Sequence, residues 1–466
     1  LDLRVHSKTK KDVLQAAADA LLSGGAHPVL MNDDKIIPAL HKKTGGTVEL
    51  KSARNYACDG CYETLFAGET EFSFGFVSAL DILEKSLNSG AGFAFSGSTN
   101  LRGSKSSYRS KNAVAIKSFD EFWQVLEKHL LLGCHRFLHG ILSAYGSKEE
   151  VSPSPLLSAM INGCIDTGRD IAGGGAKYRL FSPLMTGIST AADSLFVVQS
   201  LVFDKKLFSL EELVACLRSN WGRTQEVVGL KLPAERIAAI RELCVQQPKF
   251  GQGVTAVDQL AWKLVNAFYE RLQEARHSPV HQANWERLQK IYYETNQPFE
   301  ILFAPGVGTF EQFNFGGSFV GATPDGRFAF DPIASDLSPS PLHQDKEPVA
   351  EFKQRMQNGT AVQFMDGLKS YTDPSFDYLS DGGPADFNIP ENFNRDKLAD
   401  ILHKFSRGHG GNMLTITVAD PETFAAAQTN PTDYNLLRVR MGGWTEFFIS
   451  LFPPLQEQHK RRPLFI

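Results

Sequence analysis

Apolar residues recur every three to four positions along Lys8–Leu22, which predicts an amphipathic helix closed by Gly24-Gly25. Pro28–Pro38 turns from apolar to acidic and back, predicting a strand, a loop and a short helix. Ala53–Cys58 reads as a small-residue strand running into the turn Asp59-Gly60. Phe76, Leu80, Leu83 and Leu87 share a helical spacing, so a helix is expected over Phe76–Leu87, stopped by Asn88-Ser89-Gly90. The Gly- and Ser-rich stretch Ala91–Asn112 has little periodicity and predicts a long loop. Ser118 to Glu121 and Ser209 to Glu212 are capping-box sequences, opening helices expected to run through His139 and Trp221. Leu156–Ile165 is a further apolar segment, and Pro233–Cys244 and Val257–Arg276 are amphipathic. Near the end, Gly408–Val418 predicts a loop feeding a strand, and Asp420-Pro421 starts a short helix. The apolar run Leu436–Val439 then enters the double glycine Gly442-Gly443. Strands alternating with helices point to an α/β, barrel-like arrangement, with no repeat or composition shift dividing the chain.

Composition narrows the classes of function. The 466 residues are 42% hydrophobic and 21% charged, as in an ordinary globular chain. A net charge of −4 leaves no basic footprint for nucleic acid or an anionic membrane. No apolar run reaches the length of a membrane span, and no signal peptide heads the chain. The first residue is Leu1 rather than methionine, which points to a processed product, a fragment or a missing N-terminal part. Six dispersed cysteines fit reduced thiols and a cytoplasmic location better than a disulfide framework.

Several motifs invite chemistry and lack its partners. Cys58 and Cys61 form C-x-x-C, but no second pair or histidine cluster completes a zinc site. His135 and His139 lie one helical turn apart with no third ligand in reach along the sequence. Asp170–Tyr178 holds three adjacent glycines without the Gly-Lys-Ser/Thr ending of a phosphate loop or a dinucleotide spacing. Two tips remain, Asp59-Gly60-Cys61-Tyr62-Glu63 and Arg440-Met441-Gly442-Gly443-Trp444, and as a pair they resemble a pattern used to store a radical on glycine beside a thiol. A Cα radical must flatten its carbon and delocalise into the flanking amides, and only glycine has no side chain to obstruct that. A thiol, with its weak and polarizable S–H bond, is the matching partner for hydrogen exchange. Glu63, two residues beyond Cys61, would share a face with it on an extended strand and could move a proton there.

Together the two tips resemble the paired signature of the glycyl radical enzymes, the pyruvate formate-lyase-like family. Gly174–Tyr178, Ala192–Leu195 and Gly321–Arg327 resemble family segments too, so the likeness spans nearly the whole chain. It implies a ten-stranded β/α barrel of which this chain covers mainly the C-terminal half. Residues 1–330 would be the barrel portion carrying the cysteine tip, and 331–466 the glycine radical domain. It implies Cys61 as the thiyl site, Glu63 as the proton-handling group and Gly443 as the stored radical, with no bound cofactor or metal. The radical would be installed by a separate radical S-adenosylmethionine activase, since no cysteine cluster for an iron–sulfur centre exists here. A homodimer, a small-molecule substrate and a separate or missing N-terminal half are also implied.

Within the family, the tip lacks the paired cysteines of formate acetyltransferases. It reads Gly-Cys-Tyr-Glu-Thr where eliminases usually have Gly-Cys-Val-Glu-Pro, and Thr64–Phe76 offers no His or Asp. The long span from Cys61 to Gly443, with added length placed in Ala91–Asn112 and Tyr371–Asn392, resembles the 4-hydroxyphenylacetate and indoleacetate decarboxylases. So does the segment Asp381–Ile389, read as a polar insertion. Phe66, Phe72, Phe74 and Phe76 would suit an aromatic substrate, although such residues are more often plain core. Decarboxylation of an arylacetate is therefore the expectation. A dehydratase or C–N/C–S lyase acting on a small diol or hydroxyproline comes second, and a formate acetyltransferase-like enzyme third. A scaffold protein that has lost its radical is the non-enzymatic alternative.

Overall fold

Strands and helices alternate in the computed structural model, which describes residues 1–94, 103–145, 148–224, 229–293, 300–310 and 312–466. The described residues hold twelve strands: β1 (Asp2–Val5), β2 (Val29–Asn32), β3 (Tyr56–Asp59), β4 (Glu63–Phe66), β5 (Thr70–Ser78), β6 (Tyr178–Thr186), β7 (Leu302–Phe303), β8 (Gly306–Val307), β9 (Pro384–Ile389), β10 (Met413–Val418), β11 (Arg438–Met441) and β12 (Trp444–Phe447). β5 and β6 run parallel over nine residue pairs, and β7 and β8 continue parallel to β6. β9 and β10 are parallel, β10 meets β2 antiparallel, and β1 completes that sheet parallel to β2. The two sheets join where the Val307 amide donates to the Gly382 carbonyl (2.9 Å) and that of Asp381 to Pro305 (3.0 Å). The result is one curved wall from β5 to β1. β3–β4 and β11–β12 are separate antiparallel hairpins.

The wall's central strands are buried on both faces, as parallel strands covered by helices must be. β9 and β10 are buried at every position, and β6 at all but its last. The helices Phe119–Ala144, Ile188–Val197 and Thr255–Arg276 pack together in the main core on the outside. A second core of Val29, Met31, Tyr62, Leu180, Leu184 and their neighbours lies under the cysteine hairpin.

Most expected elements stand where the pattern puts them, and the exceptions have physical causes. The run Phe76–Leu87 divides: β5 extends through Ser78, whose side chain accepts from the Asp81 amide (3.2 Å) and caps the helix Ala79–Leu87. Phe72, Phe74 and Phe76 alternate at the strand period, so Phe76 met the helical spacing of Leu80 by coincidence. Ala53 belongs to the short helix Leu50–Arg54, and the strand starts only at Tyr56. The Ser118 helix runs past His139 to Ala144, and the Ser209 box is made in both directions at the start of Leu210–Arg218. Leu156–Ile165 becomes two short helical turns with Leu156, Met160 and Ile165 exposed. The expected loop Ala91–Asn112 lies in part outside the described residues, at 95–102.

The supposed insertion around Asp381–Ile389 is corrected outright, because Pro384–Ile389 is β9, inside the wall. Its polar residues misled the reading, for they face partners within the protein. Asn388 Nδ2 donates to the His459 carbonyl (3.2 Å), and Asp386 lies 3.4 Å from the Arg462 guanidinium.

Candidate active site

The cysteine tip is a three-residue turn. Asp59 and Glu63 are the last register pair of its hairpin, and Gly60 adopts φ +61°, the left-handed region that a side chain resists. Cys61 therefore projects at the apex, its amide donating to the Asp59 carbonyl (2.5 Å). The hairpin is bolted down on both sides. Thr64 donates from its amide to Asp381 Oδ1 (2.8 Å) and from its hydroxyl to the Ser380 carbonyl (2.7 Å). The Tyr62 hydroxyl donates to Asp336 Oδ1 (2.7 Å), and its ring stacks on Phe310 at 5.6 Å.

The glycine tip is a two-residue turn closed by the pair Met441 and Trp444, with Gly442 at φ +67°. The buried Arg440 folds over it, donating from Nε to the Gly442 carbonyl (2.7 Å) and from Nη2 to the Gly443 carbonyl (2.5 Å).

The two tips touch. A methyl group built on Gly443 would fall 2.0 Å from Cys61 Sγ, 1.9 Å from its Cβ and 2.5 Å from its Cα. With a C–C bond of about 1.5 Å, the Gly443 α-carbon lies within about 3.5 Å of the sulfur. No side chain fits there, and the α-hydrogen and thiol are at the separation that direct hydrogen transfer needs. A cleft of about 340 Å³ opens beside this contact, lined by Cys61, Gly443, Trp444 and His27 among others.

Glu63 reaches Cys61 by a different route from the one expected. The turn Gly60–Tyr62 breaks strand alternation, and the Glu63 side chain curls back beneath it, 2% exposed. Its Oε2 accepts from the amides of Tyr62 (3.2 Å) and Cys61 (3.4 Å), while Oε1 has no hydrogen-bond partner among the described residues. Burial pushes its carboxyl up to about 7 despite the backbone donors, with Asp336 adding to the rise. Two further carboxyls crowd in that no local motif announced. Asp381 is pushed well above the usual range by burial and then by Glu63. Asp336 is raised to about 6 by burial and then by Asp386. Phe310, at φ +50°, was also missed, and only its neighbours in space identify it.

An aromatic wall adjoins the tip. Phe74 and Phe76 lie 5.6 and 6.0 Å from Phe310, which links them to Tyr62, and Phe72 is 6.2 Å from Phe74. Phe66 stands apart as core, edge-on to Tyr178. The other motifs resolve into structure. Cys58 points its thiol at Met31 Sδ (3.5 Å), and burial raises that thiol far above its ordinary range. His135 Nδ1 meets His281 Nε2 at 3.0 Å, a partner from far along the chain. Among the described residues no group of three His, Cys, Asp or Glu could hold a metal ion, and no helix is long and apolar enough to cross a membrane. The triple glycine turns through Ile171–Gly173 into β6.

Comparison with known proteins accords with this geometry. The (2S)-3-sulfopropanediol dehydratase of Klebsiella oxytoca is 25% identical over 464 residues, covering 98% of this chain and 49% of that protein. The glycyl radical subunit of 4-hydroxyphenylacetate decarboxylase from Clostridioides difficile (strain 630) is 24% identical over 500 residues, covering 98% and 50%. The glycerol-bound B12-independent glycerol dehydratase from Clostridium butyricum matches with a TM-score of 0.76 at 25% identity, over 100% of this chain and 52% of that one. The fold is that of part of these enzymes, which form a ten-stranded β/α barrel, and the chain spans about half the length of the curated relatives it matches. The pyruvate formate lyase-like family model matches residues 1–286. With more than half of its 466 residues under that model, this chain belongs to the pyruvate formate lyase-like family of glycyl radical enzymes.

Proposed function

We propose that this chain carries the radical-bearing part of a glycyl radical lyase. Cys61 is its hydrogen-abstracting thiol, Gly443 its storage site and Glu63 its proton-handling carboxyl. The observation that carries the reading is the contact between Cys61 Sγ and Gly443, too close for any side chain. The radical supplies a means of turning the Cys61 thiol into a hydrogen acceptor. Its installation falls to a separate activase, which needs the β11–β12 loop to open. The division into a barrel portion, 1–330, and a glycine radical domain, 331–466, separates the two tips. Strands from both parts share one sheet.

Elimination is the branch we favour. Burial brings the Glu63 carboxyl to about 7, so it can take the proton of a substrate hydroxyl and return one to a leaving group. In that reaction Cys61 takes a hydrogen atom from the carbon bearing a hydroxyl, and Glu63 accepts that hydroxyl's proton. The neighbouring group leaves with a proton from Glu63, and the product radical recovers its hydrogen from Cys61. The dehydratases among the relatives support this order of preference. Decarboxylation of an arylacetate is the second reading, favoured by the aromatic wall of Phe74, Phe76 and Phe310 and by likeness to the decarboxylase subunit. The test is anaerobic activation of the complete enzyme, followed by product analysis on vicinal diols and arylacetates. A carbonyl product with loss of water supports elimination; CO2 from an arylacetate, with no turnover of any diol, would transfer the case to the second reading.

A further inference from the structure

Arg440 makes two hydrogen bonds whose placement goes beyond holding a turn. Its acceptors, the carbonyls of Gly442 and Gly443, are the two that flank the Gly443 α-carbon. One belongs to the peptide that supplies Gly443's nitrogen, and the other is Gly443's own. The arginine is rigidly seated: its amide donates to Thr417 Oγ1 on β10 (3.1 Å), and its carbonyl accepts from Arg462 Nη1 (3.4 Å). Asp386 on β9, 3% exposed and 3.4 Å from Arg462, sets a carboxylate against both cations inside the wall.

We propose that Arg440 tunes hydrogen exchange between Cys61 and Gly443 by polarising the Gly443 carbonyl. The proposal rests on the reading of Gly443 as the storage site. In the exchange the Gly443 Cα–H bond breaks and the Cys61 S–H bond forms; one hydrogen atom moves, and nothing enters or leaves. A planar Cα radical gains stability by spreading spin onto its carbonyl oxygen, and a guanidinium at that oxygen draws more spin there. Charge-assisted hydrogen bonds are the strong ones, so one that strengthens only in the radical state shifts the exchange toward glycine by about tenfold. Arg440 acts here through the Gly443 carbonyl and is in this sense a positioning residue for the radical.

The test compares the complete protein with Arg440→Gln and Arg440→Lys variants. Before activation, [1-13C]glycine labelling reads the Gly443 carbonyl, assigned as the resonance lost in Gly443→Ala. Arg440→Gln should move it upfield, as expected on losing a charged donor. After anaerobic activation, electron paramagnetic resonance should show a wider α-proton splitting, because more spin stays on carbon, and decay about tenfold faster than in the parent. Arg440→Lys, which keeps the charge and a donor, should fall between. It carries the test with the same readings if the glutamine variant does not fold. An unchanged splitting and lifetime beside a parent that forms the radical would overturn the proposal alone. A parent that forms no radical under activation would remove the storage-site reading and this proposal with it.

Discussion

Replacing Glu63 with glutamine should make the protein more stable, by a gain that grows from about pH 4.5 and is complete above about pH 7. Burial raises the Glu63 carboxyl from 4.5 to about 7. Each pH unit is worth about 1.36 kcal/mol, so holding the group ionised costs the fold about 3 kcal/mol. Because the folded value is the higher one, the stability from protonated Glu63 is complete below pH 4.5 and is lost as pH rises through about 7. Glutamine keeps an acceptor for the Cys61 and Tyr62 amides and never ionises, so it escapes that loss. At about 2.1 cal/mol/K of unfolding entropy per residue, a chain of this length has about 1 kcal/mol/K, and the gain appears as about 3 °C in Tm. Scanning calorimetry of parent and Glu63→Gln at pH 5 and pH 8.5 reads it directly, without activation. The variant should exceed the parent by only about 1 °C at the lower pH and by the full gain at the higher. A Tm gap of the same size at both, or a variant weakened at pH 8.5, would refute the reasoning.

Other perturbations separate the two glycines and the walls around them. Gly443→Ala drives a methyl into Cys61 and should cost about 1–3 kcal/mol in thermal unfolding while abolishing the radical signal. Gly442→Ala should cost about 1–2 kcal/mol for its left-handed backbone and keep the radical. Tyr62→Phe leaves buried Asp336 short of a donor and should lose about 1–3 kcal/mol, read as a lower Tm. Phe74→Ala, at a residue 44% exposed beside Phe310, should change stability by less than about 0.5 kcal/mol yet raise KM severalfold with kcat nearly kept. An unchanged KM would take Phe74 out of the substrate wall.

The chemistry was most legible where it is local. Gly60, Cys61 and Glu63 sit within one turn, and Arg440 and Gly443 within another, so the paired family resemblance could be carried by two short stretches of sequence. Residues that act across the fold left no such trace. Asp381 reaches Thr64 from more than 300 positions away, and Asp336 joins Tyr62 to Thr309 only once β8 is in place. β9 was misread because Asp386 and Asn388 look like surface residues until Arg462 and the His459 carbonyl are brought against them. β5 was not anticipated, and its last aromatic was assigned to the following helix because Phe76 falls in phase with it. Burial decides the charge state of Glu63, and burial is a property of the assembled wall.

The contact of Cys61 with Gly443 is the centre of the account, and solvent deuterium tests it most directly. A thiol exchanges its hydrogen with water, so a thiol that trades hydrogen with Gly443 should carry deuterium onto the glycine α-carbon. The activated enzyme should give a doublet in H2O, split by the single α-hydrogen, that collapses to a single line in D2O. Cys61→Ser, activated alike, should keep its doublet in D2O. A doublet that persists in D2O in the parent, or one that collapses equally in Cys61→Ser, would contradict the pairing of these two residues.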